Sequence, residues 1–188
     1  MAREDFFDWA EARDDGYEFD GRRPVAMGGW TVRHSVIARN ARFAVGNRLA
    51  KSCGCAEFGI GVGIRTVGAA VRYPDVIVTC SKFKDSDREV PNPVVVFEVL
   101  SPTSGHTDRI VKLLEYKAVP SIRRYVIVEH DFAALTLYAR HDAGADWTAT
   151  VLTADKLLPL PEIGIEIPVA DLFAKTDLAP TNEEPAAE

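Results

Sequence analysis

Glu98 stands inside PVVVFEVLSP, residues 93–102, among four valines, a phenylalanine and a leucine. A run this apolar belongs to a strand covered on both faces, where an unpaired carboxylate is costly or takes up a proton. Asp75 follows a proline in YPDVIV, at the mouth of the preceding apolar strand, where its carboxylate can be aimed at a neighbour. Two such acids repel when they meet, unless one holds a proton or a cation lies between them. Magnesium is the natural occupant, with manganese as a substitute, because it takes carboxylate oxygens while keeping waters and phosphate oxygens of a substrate. Further along, Asp108, Lys112 and Glu115 fall at i, i+4 and i+7, on one polar face of a helix, with Tyr116 beside them. Lys112 can then neutralise Glu98 or help to position an attacking water. Each group also has a plainer use. Asp75 can end a turn, Asp108 and Lys112 can form a solvated pair, Glu98 can bond a buried arginine, and His34 can cap its helix.

The elements that must position these groups follow from periodicity. EDFFDWAEA has helical spacing, and YEFDGRRPVAM forms a strand, a turn and a strand, with Glu18 on the first arm. From His34 to about Lys51, Val36, Ile37, Ala41, Ala44, Val45 and Leu49 recur with a period near 3.6 and predict an amphipathic helix. AEFGIGVGIRT, AVRYPDVIVTC and PVVVFEVLS predict three successive strands. The alternating Gly59, Gly61 and Gly63 lack the spacing of a phosphate cradle and suit a strand closely approached by another backbone. In 94–100, alternation puts Val94, Val96, Glu98 and Leu100 on one face. DRIVKLLEYKA predicts a helix with Ile110, Leu113 and Leu114 on its buried side, followed by strands in RRYVIVEHD, ALTLYAR and DWTATVLT. LPEIGIEIPVADLFA closes a single domain over 1–175, and the Pro, Ala and Glu-rich segment 176–188 is expected to be a disordered tail. The order predicts an α/β (α+β) fold with a central mixed sheet flanked by helices and β-hairpin additions.

Composition narrows the partners less. The chain of 188 residues is 47% hydrophobic and 27% charged, which suits one soluble domain. No apolar stretch is long enough to span a bilayer, and the acidic first residues differ from a secretory signal, so no membrane partner and a cytoplasmic location are expected. Cys53, Cys55 and Cys80 lack zinc spacing and are expected to be reduced thiols. The net charge of -6 hides an uneven distribution: residues 1–20 hold eight acids against two bases, while 21–176 hold 20 bases against 16 acids. That balance permits a basic face toward nucleic acid. Trp9, Trp30 and Trp147 are scattered, which suits packing better than stacking on bases.

Taken together and in order, YEFDG, RHS, RYPDVIV, VVFEVLSPTS, TDRIVKLLEY, VPSIRRYVIVE and LPEIGIEIPVADLF resemble the small bacterial Uma family of restriction-endonuclease-like domains in the PD-(D/E)XK nuclease superfamily. The resemblance covers residues 4 to 174. It implies a restriction-endonuclease-like core, metal-dependent phosphodiester hydrolysis of nucleic acid, most naturally DNA, and a homodimer. It also implies that Asp75 and Glu98 are catalytic acids that hold magnesium, that Glu18 is a further acid at the metal, and that Lys112 supplies the catalytic lysine. The lysine that the superfamily motif has two positions after its second acid is replaced here by Leu100, and the resemblance implies that its role has moved to the following helix. Asp108, Tyr116 and His34 become supporting residues. The alternatives are a non-catalytic nucleic-acid-binding or protein-interaction domain that retains the fold, and a metal-dependent hydrolase acting on a smaller phosphoester.

Overall fold

The computed structural model describes residues 1–49, 53–101 and 106–179, with the side chains of 106–109 outside the described set. Its centre is a six-stranded mixed sheet of β3 (Ala56–Gly59), β6 (Val76–Thr79), β7 (Pro93–Val99), β8 (Arg124–Val128), β9 (Ala134–Ala139) and β10 (Thr148–Thr153). The spatial order is β10-β9-β8-β7-β6-β3, and β7 with β8 is its one parallel pair among the described residues. That parallel step needs a crossover. The helix α3 (His106–Ala118) supplies it.

Both faces of this sheet are covered, which is why β7 is apolar along most of its length. On one face Ile37, Ala41, Ala44 and Val45 of α2 (Val32–Gly46) pack with Val76, Val95, Phe97 and Val126. The hairpin of β11 (Leu157–Leu160) and β12 (Ile165–Pro168), with the short α4 (Val169–Leu172), completes that layer. On the other face Ile77, Val96, Leu100, Tyr116, Tyr125 and Ile127 pack under α3. Glu98 projects to this second face with Val96 and Leu100, as alternation requires, whereas Val94 packs with the first layer.

A smaller antiparallel sheet, ordered β2-β1-β5-β4, stands beside the central one. It contains β1 (Tyr17–Phe19), β2 (Pro24–Ala26), β4 (Ile64–Arg65) and β5 (Val71–Arg72), with α1 (Arg3–Glu11) set against it through Phe6 on Phe19. Two expected strands are therefore each divided between sheets. AEFGIGVGIRT breaks at a turn around Gly61, whose φ of 114° suits a residue without a Cβ. Gly63 beyond it is closely approached, since a Cβ there would lie 2.8 Å from the Val71 side chain. AVRYPDVIVTC breaks at Pro74, which cannot donate to a ladder, and the break sends Arg72 to the small sheet and Val76 to the large one.

Three further expectations are corrected. The helix α2 starts where the Thr31 hydroxyl accepts from His34 N at 3.1 Å, and it ends at Gly46, short of Lys51. Ile110 and Leu114 are exposed rather than buried, because α3 turns Lys112, Glu115 and Tyr116 toward partners on the sheets, and among the described side chains it packs Leu113 and the Tyr116 ring into the apolar layer there. Cys55 and Cys80 form a disulfide instead of remaining reduced. The antiparallel register of β3 on β6 pairs Ala56 with Thr79, so the next step sets Cys55 opposite Cys80. Cys53 is a free, exposed thiol.

Residues 180–188 of the expected tail lie outside the described residues. Its first residues are held against the body: Arg33 donates to Asp177 at 2.6 Å, and Leu178 packs on the first core layer. Among the described residues, no helix is long and apolar enough to cross a membrane.

Candidate active site

The junction of the two sheets opens a cleft of about 280 Å³ lined by Glu18, His34, Arg72, Asp75, Glu98 and Lys112, among others. The register explains how the two central acids come together. Val76 pairs with Phe97 across the antiparallel β6–β7 ladder, so one step outward Asp75 faces Glu98 on the α3 side. Asp75 is fixed there by its own ladder-like bond, with Val99 N donating to its Oδ2 at 2.7 Å. His34 comes from the first turn of α2, with its Nε2 3.0 Å from the Val99 carbonyl oxygen and 3.5 Å from Asp75 Oδ2.

From the opposite side, α3 brings two groups onto one oxygen of Glu98. The Tyr116 hydroxyl donates to Oε1 at 2.7 Å, and Lys112 Nζ lies 3.3 Å from the same atom. Lys112 also reaches Glu18 Oε1 at 2.9 Å. Glu18 in turn accepts from Arg72 Nη1 at 3.1 Å. Arg72 closes the arrangement with a two-pronged grip on Glu115, donating from Nε at 2.7 Å and from Nη2 at 2.6 Å, while Thr66 Oγ1 donates to the same carboxylate at 2.9 Å. This fork geometry is the one a guanidinium makes best with a carboxylate.

The electrostatics follow from burial. Desolvation pushes Glu98 up to about 7, with Lys112 pulling back and the charges of Asp75 and Glu18 adding to the rise. Desolvation also raises Asp75 to about 6, against the Val99 hydrogen bond and Lys112. Burial opposes the Lys112 ammonium most strongly, yet Glu98 and then Glu18 outweigh it and the group is held above its ordinary value. Lys112 is thus a fixed cation. Burial lowers His34, which favours the neutral imidazole, and burial raises the Tyr116 phenol, which keeps its proton as a donor.

The structure therefore gathers Glu18, His34, Asp75, Glu98 and Lys112 at one cleft, with Tyr116 behind Glu98. The Asp108 side chain, the remaining supporting residue, lies outside the described residues. Sequence reasoning missed Arg72. Its signal was available in RYPD, three residues before Asp75, but a single strand through 70–80 hid its position on a different sheet. Trp30, expected to pack, stacks near His34 with ring centroids 6.2 Å apart and is 46% exposed where it lines the cleft.

Among the described residues, no three His, Cys, Asp or Glu side chains are gathered closely enough to form a complete metal cage. Magnesium does not require one, since it is commonly held by one or two carboxylates with waters and phosphate oxygens filling the rest. Asp75 and Glu98 suit that mode. They are two hard oxygen donors at an open cleft, each with its charged form disfavoured by burial, a cost that a divalent cation offsets. Glu18 is already engaged by Arg72 and Lys112.

Comparisons with known proteins agree with this architecture. Residues 3–170 match the model of the Uma2 family, described as "Putative restriction endonuclease". The chain is 30% identical over 176 residues to the uncharacterized protein slr1290 of Synechocystis sp., covering 92% of this chain and 91% of that one. It superimposes with a TM-score of 0.72 on a crystal structure from Anabaena variabilis described as "a putative nuclease belonging to DUF820", at 17% identity and covering 92% of this chain and 97% of the other.

Proposed function

The chain belongs to the Uma2 family, and from that premise we propose that it is a magnesium-dependent endonuclease that hydrolyses phosphodiester bonds of nucleic acid, with DNA as the favoured substrate. The observation that carries this reading is the convergence of Asp75 and Glu98 from adjacent strands with Lys112 3.3 Å from Glu98 Oε1. Bound magnesium would polarise the scissile phosphate and lower the pKa of a coordinated water.

The chain's own residues supply the rest. Asp75, pinned by Val99 N, and Glu98, pinned by Tyr116, are the ligands we assign to the metal. Lys112 keeps its proton, so it acts as a donor that places the attacking water and stabilises charge developing on the phosphate. Glu18 holds Lys112 in place and is itself held by Arg72. Tyr116 donates to Glu98, and the neutral His34 bonds the Val99 carbonyl, which sets its ring 3.5 Å from Asp75 Oδ2.

A single compact site cuts one strand, so duplex cleavage calls for a two-fold pair of chains, and a homodimer acting on DNA in the cytoplasm is the assembly we propose. The rival is a non-catalytic nucleic-acid-binding domain. It takes its support from Lys112 already sitting as counter-ion to both Glu18 and Glu98. Titration calorimetry with magnesium and with manganese separates the two readings. Binding by the wild type that disappears in the Asp75→Asn, Glu98→Gln double variant supports the metal site. Equal binding by both proteins, or none by either, favours the rival.

A further inference from the structure

A second cleft, of about 540 Å³, adjoins the carboxylate cleft and shares Met27, Trp30 and Tyr73 with it as a common wall. Its lining is rich in rings: Phe7 from α1, Tyr17 from β1, Tyr73 from the segment before Asp75, and Trp30 from the loop between β2 and α2. Trp30 is half exposed, and its stacking near His34 ties the aromatic wall directly to the residue beside Asp75.

The cations at this second cleft are already occupied. Arg88 donates to Asp8 at 2.7 Å and to Glu11 at 2.9 Å, and the Arg13 guanidinium lies 3.6 Å over the Trp9 ring. Glu11, Asp15 and Asp87 also line the cleft, so its charge disfavours a phosphate. What suits such a space is a neutral, flat, aromatic group joined to something that reaches the carboxylates next door. A nucleobase is that group, since every base offers a π-face to stacking side chains.

We propose that the second cleft is a base subsite, taking the nucleobase next to the phosphate held at Asp75 and Glu98, an inference that rests on the nuclease reading above. Trp30 is the stacking platform at the shared wall, and Tyr73 and Tyr17 line the pocket behind it. A base enters such a pocket only by leaving the duplex stack. Single-stranded or locally unpaired nucleic acid is therefore bound more tightly than a base-paired duplex, which fills the subsite only where a base leaves its stack beside the cut strand.

The test is equilibrium binding, with calcium in place of magnesium to hold the phosphate at the carboxylates, of a short labelled oligothymidylate and of an abasic sugar-phosphate strand of the same length. Wild type, Trp30→Ala and Trp30→Phe are compared. The wild type is expected to bind the thymidylate about tenfold more tightly than the abasic strand, within the range of one stacked base. Trp30→Ala should bring the two affinities together, and Trp30→Phe should retain most of the difference. Equal affinities in the wild type, or an undiminished preference in Trp30→Ala, overturn the subsite.

A parallel cleavage assay with magnesium keeps the two ideas apart. Cleavage by a wild type that shows no base preference overturns the subsite and leaves the nuclease reading standing. Base-dependent binding lost in Trp30→Ala, with no cleavage, supports the subsite and removes hydrolysis. Absence of binding to either strand overturns the subsite.

Discussion

Lys112 Nζ lies 3.3 Å from Glu98 Oε1, although the lysine is on α3 and the acid is on β7, 14 residues earlier. The helix crosses back over the strand that precedes it, and so a cation two positions from Glu98 in sequence is not needed. Leu100 at that position is left to pack under α3.

Removing this cation should be costly. Lys112→Met leaves Glu18 and Glu98 buried with their shared counter-ion gone, and breaking a buried pair in this way typically costs about 3–5 kcal/mol. Urea unfolding at neutral pH should show a loss of that order. The loss should shrink at pH 5, where Glu98, raised to about 7 even with the lysine present, holds a proton.

Stability should fall as pH rises through the range set by the two central acids. Their folded-state values, about 6 for Asp75 and about 7 for Glu98, lie above the ordinary 3.8 and 4.5, so the folded chain binds more protons than the unfolded chain between those limits. The penalty is absent below about pH 4 and complete above about pH 7, amounting to a few kcal/mol by the usual conversion of pKa shift to free energy. The difference in unfolding free energy between wild type and the Asp75→Asn, Glu98→Gln variant, followed from pH 4 to 8, isolates it. A difference that stays flat across this window contradicts the assignment.

Arg72 should behave as the clamp between the small sheet and α3. It is buried and bonds both Glu18 and Glu115, so Arg72→Met leaves Glu115 without its cation and Glu18 with Lys112 alone, and is expected to destabilise by about 3–5 kcal/mol. Arg72→Lys should recover only part of that, because an ammonium cannot reproduce the two-pronged contact with Glu115. Denaturant midpoints of the two variants decide the matter.

The disulfide predicts a thiol count. Under non-reducing denaturation only Cys53 should react with a thiol reagent, and all three cysteines should react after reduction. Reduction should also lower stability by about 2–4 kcal/mol, as expected for opening a loop of 25 residues. Three reactive thiols without reductant would remove the cross-link from the account.

Much of this arrangement was legible in the sequence. A carboxylate in a run of valines marked Glu98 because burial makes a charge conspicuous, and helical spacing placed Lys112 and Tyr116 on one face of α3. The mixed central sheet and its covering helices followed from periodicity in the same way. What periodicity concealed was where chain segments change sheets. Pro74 and the turn at Gly61 each divide an apolar run, and only the fold shows that Arg72 lies on the small sheet while Asp75, three residues on, stands at the mouth of a strand of the large one, both lining one cleft. The face of α3 was misread for a related reason. Ile110 and Leu114 suggested the buried side, but the polar side finds Glu18, Glu98 and Arg72 waiting across the gap, and those long-range partners outweigh the apolar stripe. The disulfide depended on the register of β3 against β6, which cysteine spacing does not reveal.

The most direct test of the central claim is cleavage of labelled single-stranded DNA and RNA by the wild type and by Glu98→Gln, with magnesium and with EDTA. The account predicts cleavage by the wild type only when the metal is present, and a loss of at least about a hundredfold in Glu98→Gln, the order seen when one positioned electrostatic group is removed from such a site. Cleavage that persists in EDTA, or that Glu98→Gln performs as well as the wild type, would contradict hydrolysis at Asp75 and Glu98.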